Sequence, residues 1–160
     1  MSTADASPEI VVEEAPDRVE RRSVVVDAPA SVIFDLLADP RRHVEIDGSG
    51  TVRDAQLNAP ARLSAGAKFG MKMKMGVPYP MTNTVVEFVE NERIAWRHVG
   101  RHIWRYTLEP LDGGARTRVT EEFDWRPAVF PPALQAIGAP ARNATAIEAT
   151  LRRLAQAVAD

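Results

Sequence analysis

Hydrophobic and polar positions alternate in short runs through the middle of this chain, and apolar positions recur every three or four residues at its end. Period two marks half-buried strands and period 3.6 marks helices. Val19–Asp27 is rich in β-branched residues and reads as a first strand. Ala28-Pro29-Ala30-Ser31 then opens a helix in which Val32, Ile33, Leu36 and Leu37 form an apolar stripe with Phe34 beside it; Asp39-Pro40 stops it. Residues 40–45 form a second short helix and Gly48-Ser49-Gly50 a loop. Six strand patterns follow, Thr51–Asn58, Ala67–Met75, Met81–Glu90, Arg93–Val99, His102–Glu109 and Ala115–Trp125. Gly66, Gly76, Gly100 and the hairpin signal Asp112-Gly113-Gly114 punctuate them. After the Pro-rich turn Phe130-Pro131-Pro132, the residues Ala141, Ala144, Ile147, Leu151, Leu154 and Val158 give one long helix a single apolar stripe, with Pro140 starting or kinking it. Strands without intervening helices form an antiparallel meander. The pattern therefore predicts an α+β fold, a curved antiparallel sheet of about seven strands around a long C-terminal helix, with two short helices after the first strand.

Composition changes this picture in three places. The 160 residues match one domain, read as 18–160. Asp5, Glu9, Glu13, Glu14 and Asp17 give residues 1–17 a charge of −5 with no basic residue, whereas the remainder holds 20 basic and 17 acidic side chains, or +3. This acidic stretch is expected to be a disordered tail. The net charge of −2 argues against binding nucleic acid by bulk charge. The absence of Cys excludes disulfides, thiolate metal sites and thiol nucleophiles, and suits the reducing cytoplasm, the expected location. No signal-peptide pattern is present, and no run approaches the roughly 18 apolar residues of a membrane span. Nothing in the pattern fixes an oligomeric state.

Three stretches carry a resemblance: Val24-Val25-Val26-Asp27-Ala28-Pro29-Ala30-Ser31 with the helix to Asp39-Pro40; Arg93-Ile94-Ala95-Trp96-Arg97; and Trp104-Arg105-Tyr106-Thr107-Leu108-Glu109-Pro110 with Gly113-Gly114-Ala115-Arg116-Thr117-Arg118-Val119-Thr120-Glu121. Over residues 19–158 the chain resembles the START-like superfamily, and within it the bacterial polyketide cyclase/dehydrase group. The resemblance implies a helix-grip fold and a cavity between sheet and helix that holds a small hydrophobic molecule: a lipid, polyketide, quinone or aromatic metabolite. It implies no cofactor and carries no shared catalytic residue.

Alternation then sorts the side chains. Phe69, Met71, Met73 and Met75 share one face, opposite Lys68, Lys72 and Lys74. With Met81 they suit either a core or a wall that adapts to apolar ligands. Tyr79, in Gly76-Val77-Pro78-Tyr79-Pro80 between two strands, stands either as a gate or as part of a rigid hairpin. Trp96, Trp104, Phe123 and Trp125 complete the candidate ligand-binding set. If Trp96 and Trp104 both face inward, a three-residue loop centred on Gly100 sets His98 opposite His102. Glu121 falls on an otherwise apolar face. It is either paired, for example with an inward Arg, or a general base raised by burial. His98, His102, Tyr106 and Glu121 are the candidate proton carriers of a cyclase/dehydrase. A metal site built on the two His and Glu121 is disfavoured, because opposed strand positions rarely supply a facial triad. Arg41-Arg42-His43 reads as a solvated basic cluster.

Overall fold

The computed structural model describes residues 8–47, 52–55, 60–75, 77–98 and 100–159, with the side chains of 52–55, 71–75 and 77–81 outside the described set. One antiparallel sheet carries the strands β1 (Val11–Val12), β2 (Val19–Val26), β3 (Val52–Ala55), β4 (Lys68–Met75), β5 (Val77–Val89), β6 (Arg93–Arg97), β7 (Ile103–Leu111) and β8 (Arg116–Asp124). Their spatial order is β1-β2-β8-β7-β6-β5-β4-β3, a meander from β3 to β8 closed by the first long strand. The seven principal strands and their antiparallel pairing agree with the sequence pattern; β1 is the addition. Within the stretch expected to be a disordered tail, Val11 and Val12 pair with Ser23 and Arg22. The Ser23 hydroxyl donates to Glu13 at 2.7 Å, and Arg21 donates to the Glu14 carbonyl at 2.6 Å. The acidic stretch is therefore structured in part, because its carboxylate and carbonyl groups meet donors on β2.

Helix α1 (Ala30–Leu37) starts behind Pro29 and buries Ile33, Phe34, Leu36 and Leu37. Val32, expected in this stripe, is exposed. Asp39 accepts from the Arg41 amide at 3.0 Å and so caps a 3-10 turn, Pro40–Arg42, that runs into α2 (His43–Ile46). The loop expected at Gly48–Gly50 lies outside the described residues. The β7–β8 hairpin turns at Asp112-Gly113-Gly114, where φ values of 51°, 68° and 99° require the left-handed backbone that glycine supplies most readily.

Two segments depart from the pattern. Residues 77–80, expected as a stiff loop, are the first residues of β5, with Met73↔Tyr79 and Lys72↔Pro80 in register. β6 pairs with β5 only from Thr84 onward. Pro78 and Pro80 are two residues apart, so both missing N–H groups fall on the edge of β5 away from β4, where no ladder bond is lost. The turn after β8 contains a further helix, α3 (Pro131–Ala136), ahead of α4 (Ala139–Ala159). Pro140 occupies the first turn of α4 rather than kinking it. Ala144, Ile147, Leu151 and Leu154 are buried as the spacing predicts, while Ala141 is exposed. Helix α4 packs on β2 and β8 and against α1, α2 and α3, so the core lies between this helix and the inner face of the sheet. No helix among the described residues is long and apolar enough to cross a membrane.

Candidate functional site

Cross-strand register assembles the inner face. Trp96 pairs with Trp104, Ile94 with Tyr106, Trp104 with Phe123 and Tyr106 with Glu121. The β6–β7 turn has the register inferred from Gly100. His98 donates its backbone N–H to the His102 carbonyl at 2.9 Å, and the two imidazoles stack with centroids 4.5 Å apart. A Cβ at Gly100 would stand 3.3 Å from His102 Nδ1, so a small residue here keeps the turn close to that ring. Phe69, Tyr106, Phe123 and Trp125 are buried, and Trp96 and Trp104 are half-buried. Met71, Met73, Met75, Tyr79 and Met81 have described backbones on β4 and β5, but their side chains lie outside the described set.

The four candidate proton carriers do not converge. Tyr106 donates a hydrogen bond to the Glu121 carboxyl. The His98–His102 pair lies at the hairpin end, with His102 four residues before Tyr106, about 13 Å along an extended strand. Between the pairs, Trp104 and Phe123 rings meet at 4.9 Å and His102 reaches Phe123 at 5.2 Å. The inner face thus has two polar stations separated by an aromatic step. No group of three metal-ligating side chains occurs among the described residues.

Electrostatics distinguish the stations. Glu121 is 3 % exposed. Burial pushes its carboxyl well above the usual carboxylate range, and the Tyr106 hydrogen bond pulls back only part of the way. Burial, then the charge of Glu121, raises the Tyr106 hydroxyl in turn. The inward Arg expected as a partner is present in register, since Arg22 pairs with Glu121 along β2–β8. Its guanidinium instead holds Glu148 of α4 at 3.1 Å. Burial also lowers both imidazoles, His102 to about 4 with the neighbouring His98 contributing, so both are neutral near pH 7. Among the described residues, the buried side-chain atoms Glu121 Oε1, His98 Nδ1, His102 Nδ1, Trp125 Nε1 and Asn83 Oδ1 have no hydrogen-bond partner. Buried polar atoms are nearly always partnered, so this group marks the inner face as chemically unfinished.

Two residues of this site escaped the sequence reading. Asn83 is opposite Phe69 on β5 and buried; counting alternately back from Val85 would have placed it inward. His43, read as part of a solvated basic cluster, is buried. Its Nε2 donates to the Leu37 carbonyl at 2.8 Å, and its ring stacks on Trp96 at 4.9 Å. The signal was helical phase, since His43 is three residues before the buried Ile46. Trp96 also meets Phe69 edge-on at 5.5 Å, so His43, Phe69 and Trp96 form one ring cluster on the inner face. Among the described residues, one open groove of about 590 Å³ lies beside β1, β2 and β8, and another of about 350 Å³ is lined by Lys68, Thr84, Arg97 and, of the candidate site residues, His98. Neither is lined by Trp104, Tyr106, Glu121 or Phe123.

A sheet wrapped on a long C-terminal helix, with an aromatic inner face carrying isolated polar groups, defines a helix-grip protein. Residues 18–159 match the family described as polyketide cyclase / dehydrase and lipid transport, and the chain belongs to that family. An uncharacterized protein of Mycobacterium tuberculosis is 46 % identical over 149 residues, covering 90 % of this chain; its counterpart in a second strain is 45 % identical. The chain spans 65 % of the length of these curated relatives. Among solved structures, a Rhodobacter sphaeroides protein aligns with a TM-score of 0.70 at 18 % identity, over 94 % of this chain and 98 % of that one. A Mycobacterium smegmatis protein aligns at 0.64 and 21 %, over 94 % and 99 %. These two share the fold.

Proposed function

We propose that residues 18–160 act as one domain that binds a small hydrophobic molecule between the inner face of the sheet and α4, in the cytoplasm. The observation that carries this reading is Glu121: a buried carboxyl on an apolar face, hydrogen-bonded to Tyr106, with Oε1 unpartnered and, among the described residues, no cation paired with it. A carboxyl kept neutral offers a donor and an acceptor to an uncharged polar group, such as a carbonyl or hydroxyl, while the surrounding rings exclude water. Trp104 and Phe123 would lie along the apolar body of the ligand, and the neutral His98–His102 pair would meet a second polar group about 13 Å away. Two tests address this. Organic extraction of the purified protein followed by mass spectrometry should recover an apolar compound, and Trp fluorescence should saturate with members of a panel of fatty acids, quinones and polycyclic aromatics. A protein that extracts empty and shows no fluorescence change across the panel contradicts the reading.

A second reading, a cyclase/dehydrase of the aromatase type, is favoured by the Tyr106–Glu121 hydrogen bond, which pairs two groups able to pass a proton. Replacing Glu121 by Gln separates the two. A binder retains its ligand unchanged in this variant, whereas an enzyme retains the ligand but loses its conversion.

A further inference from the structure

The outer face of β4, β5 and β6 carries a second feature that the ligand reading does not use. Lys68 pairs with Thr84, and Thr84 with Arg97, so a lysine, a hydroxyl and an arginine form one row across three adjacent strands. Thr82, two residues before Thr84, adds a second hydroxyl. His98 and Arg101 of the β6–β7 turn close the end of the row, giving an open groove of about 350 Å³. Arg101 is held in the turn by its N–H bond to the His98 carbonyl at 2.9 Å.

Among the described residues, no acidic side chain lines this groove. Other arginines of the sheet are paired. Arg21 holds Glu122, Arg93 and Arg105 hold Glu87, Arg116 holds Asp112 and Arg118 holds Glu109. Lys68, Arg97 and Arg101 hold no carboxylate among the described residues. Three cations gathered without a counter-charge repel one another, and the two hydroxyls between them offer neutral donors. A monocarboxylate has two oxygens and one charge to set against this array. A phosphate group has up to two charges and three oxygens free to accept from guanidinium, ammonium and hydroxyl donors together.

We infer that the groove of Lys68, Thr82, Thr84, Arg97 and Arg101 is a binding site for a phosphate group, on the face of the sheet opposite the hydrophobic site. The phosphate is borne either by a soluble molecule or by a lipid headgroup. For the second source, the exposed Val129 and Phe130 stand beside the same turn, tied to it by the Val129 N–H bond to the Gly100 carbonyl at 3.1 Å.

The test titrates inorganic phosphate into ¹⁵N-labelled protein, with acetate at matched ionic strength as control. Saturable amide shifts confined to Thr82–Thr84 and Arg97–Arg101, weakened about tenfold or more by the double substitution Arg97→Gln/Arg101→Gln, are expected with phosphate and not with acetate. A parallel arm sediments the protein with phosphatidylcholine vesicles with and without phosphatidic acid. Sedimentation that requires phosphatidic acid and is lost in the double variant assigns the phosphate to a lipid. Saturable binding of free phosphate without sedimentation assigns it to a soluble molecule. Both arginines are exposed, so the variant should keep the wild-type unfolding midpoint. Responses equal for phosphate and acetate, responses unchanged in the double variant, or no response in either arm overturn the inference. The inner-face ligand is read separately by Trp fluorescence, and His98 is the residue that the groove and the inner face share.

Discussion

Glu121 and Glu122 are neighbours on β8, both buried, and face opposite sides of the sheet. Glu122 accepts from Arg21 at 2.6 Å and from Arg105 at 3.1 Å. Arg105 extends the same cluster to Asp124 at 3.3 Å and Glu87 at 2.8 Å, and Arg126 reaches Asp124 at 2.7 Å. Burial alone would push the Asp124 carboxyl up, but hydrogen bonds from Arg126 and Arg105 outweigh it and hold that carboxyl below its ordinary value. Glu121 is more deeply buried and has only a hydroxyl for a partner, so its carboxyl is pushed well above its ordinary value. One strand therefore carries an arginine-paired carboxylate network on its outer face and an incompletely bonded carboxyl with a raised pKa on its inner face. Depth of burial and the supply of cations together separate the two faces.

Four substitutions break or sharpen that contrast. The largest effect falls on the aromatic step between the polar stations. Phe123 is fully buried, and Phe123→Ala should cost about 4 kcal/mol of unfolding free energy in urea titrations. A loss below about 1 kcal/mol would mean that the inner face is loosely packed. Next, Arg105→Met strips a common cation from Glu122 and Asp124 and makes the outer face resemble the inner one. It should cost about 3 kcal/mol, because one partner of a buried pair is removed while the charges remain.

Glu121→Gln works in the opposite sense. The folded carboxyl titrates above its unfolded value, near 4.5, so the stability that wild type enjoys in acid is lost as pH rises from there through the raised folded value. Gln removes the charge that must otherwise be buried. The variant should match wild type near pH 4 and exceed it by at least about 1 kcal/mol at neutral pH or above. Equal stability at every pH would show that Glu121 has an ordinary carboxyl. The smallest effect belongs to the histidine pair. His102 titrates at about 4 in the fold against 6.5 when exposed, so wild type loses stability as pH falls from 6.5 through about 4. His102→Asn should flatten this limb of the pH–stability curve and leave neutral stability nearly unchanged. The slope of midpoint against pH measures it.

What the sequence made legible was local. Period-two alternation placed Glu121, Phe123 and Tyr106 inward, and Gly100 between two Trp-bearing runs set the β6–β7 register, because a one-residue slip would have turned either Trp to solvent. The helix stripe through Ile147, Leu151 and Leu154 followed from spacing alone. Features fixed by distant parts of the chain were hidden. Arg22 looks like a partner for Glu121 until α4 brings Glu148, 126 residues away, to its guanidinium. Pro78 and Pro80 suggest a turn unless one knows that an edge of β5 is unpaired there. Val11 and Val12 sit in an acidic run, and only pairing with β2 makes them a strand. The separation of the histidine pair from Glu121 was implicit in the strand spacing, but it is plain only with the tilted Trp104 and Phe123 rings in contact between them.

The contrast between the two carboxyl environments of β8 can be read directly. Carboxyl ¹³C shifts of Glu121 and Asp124, followed by NMR from pH 4 to pH 8, report their protonation in the folded protein. Glu121 is expected to keep the shift of a protonated carboxyl well past pH 4.5, while Asp124, bonded to Arg126 and Arg105, stays a carboxylate across that range. A Glu121 resonance that titrates near 4.5 would contradict this.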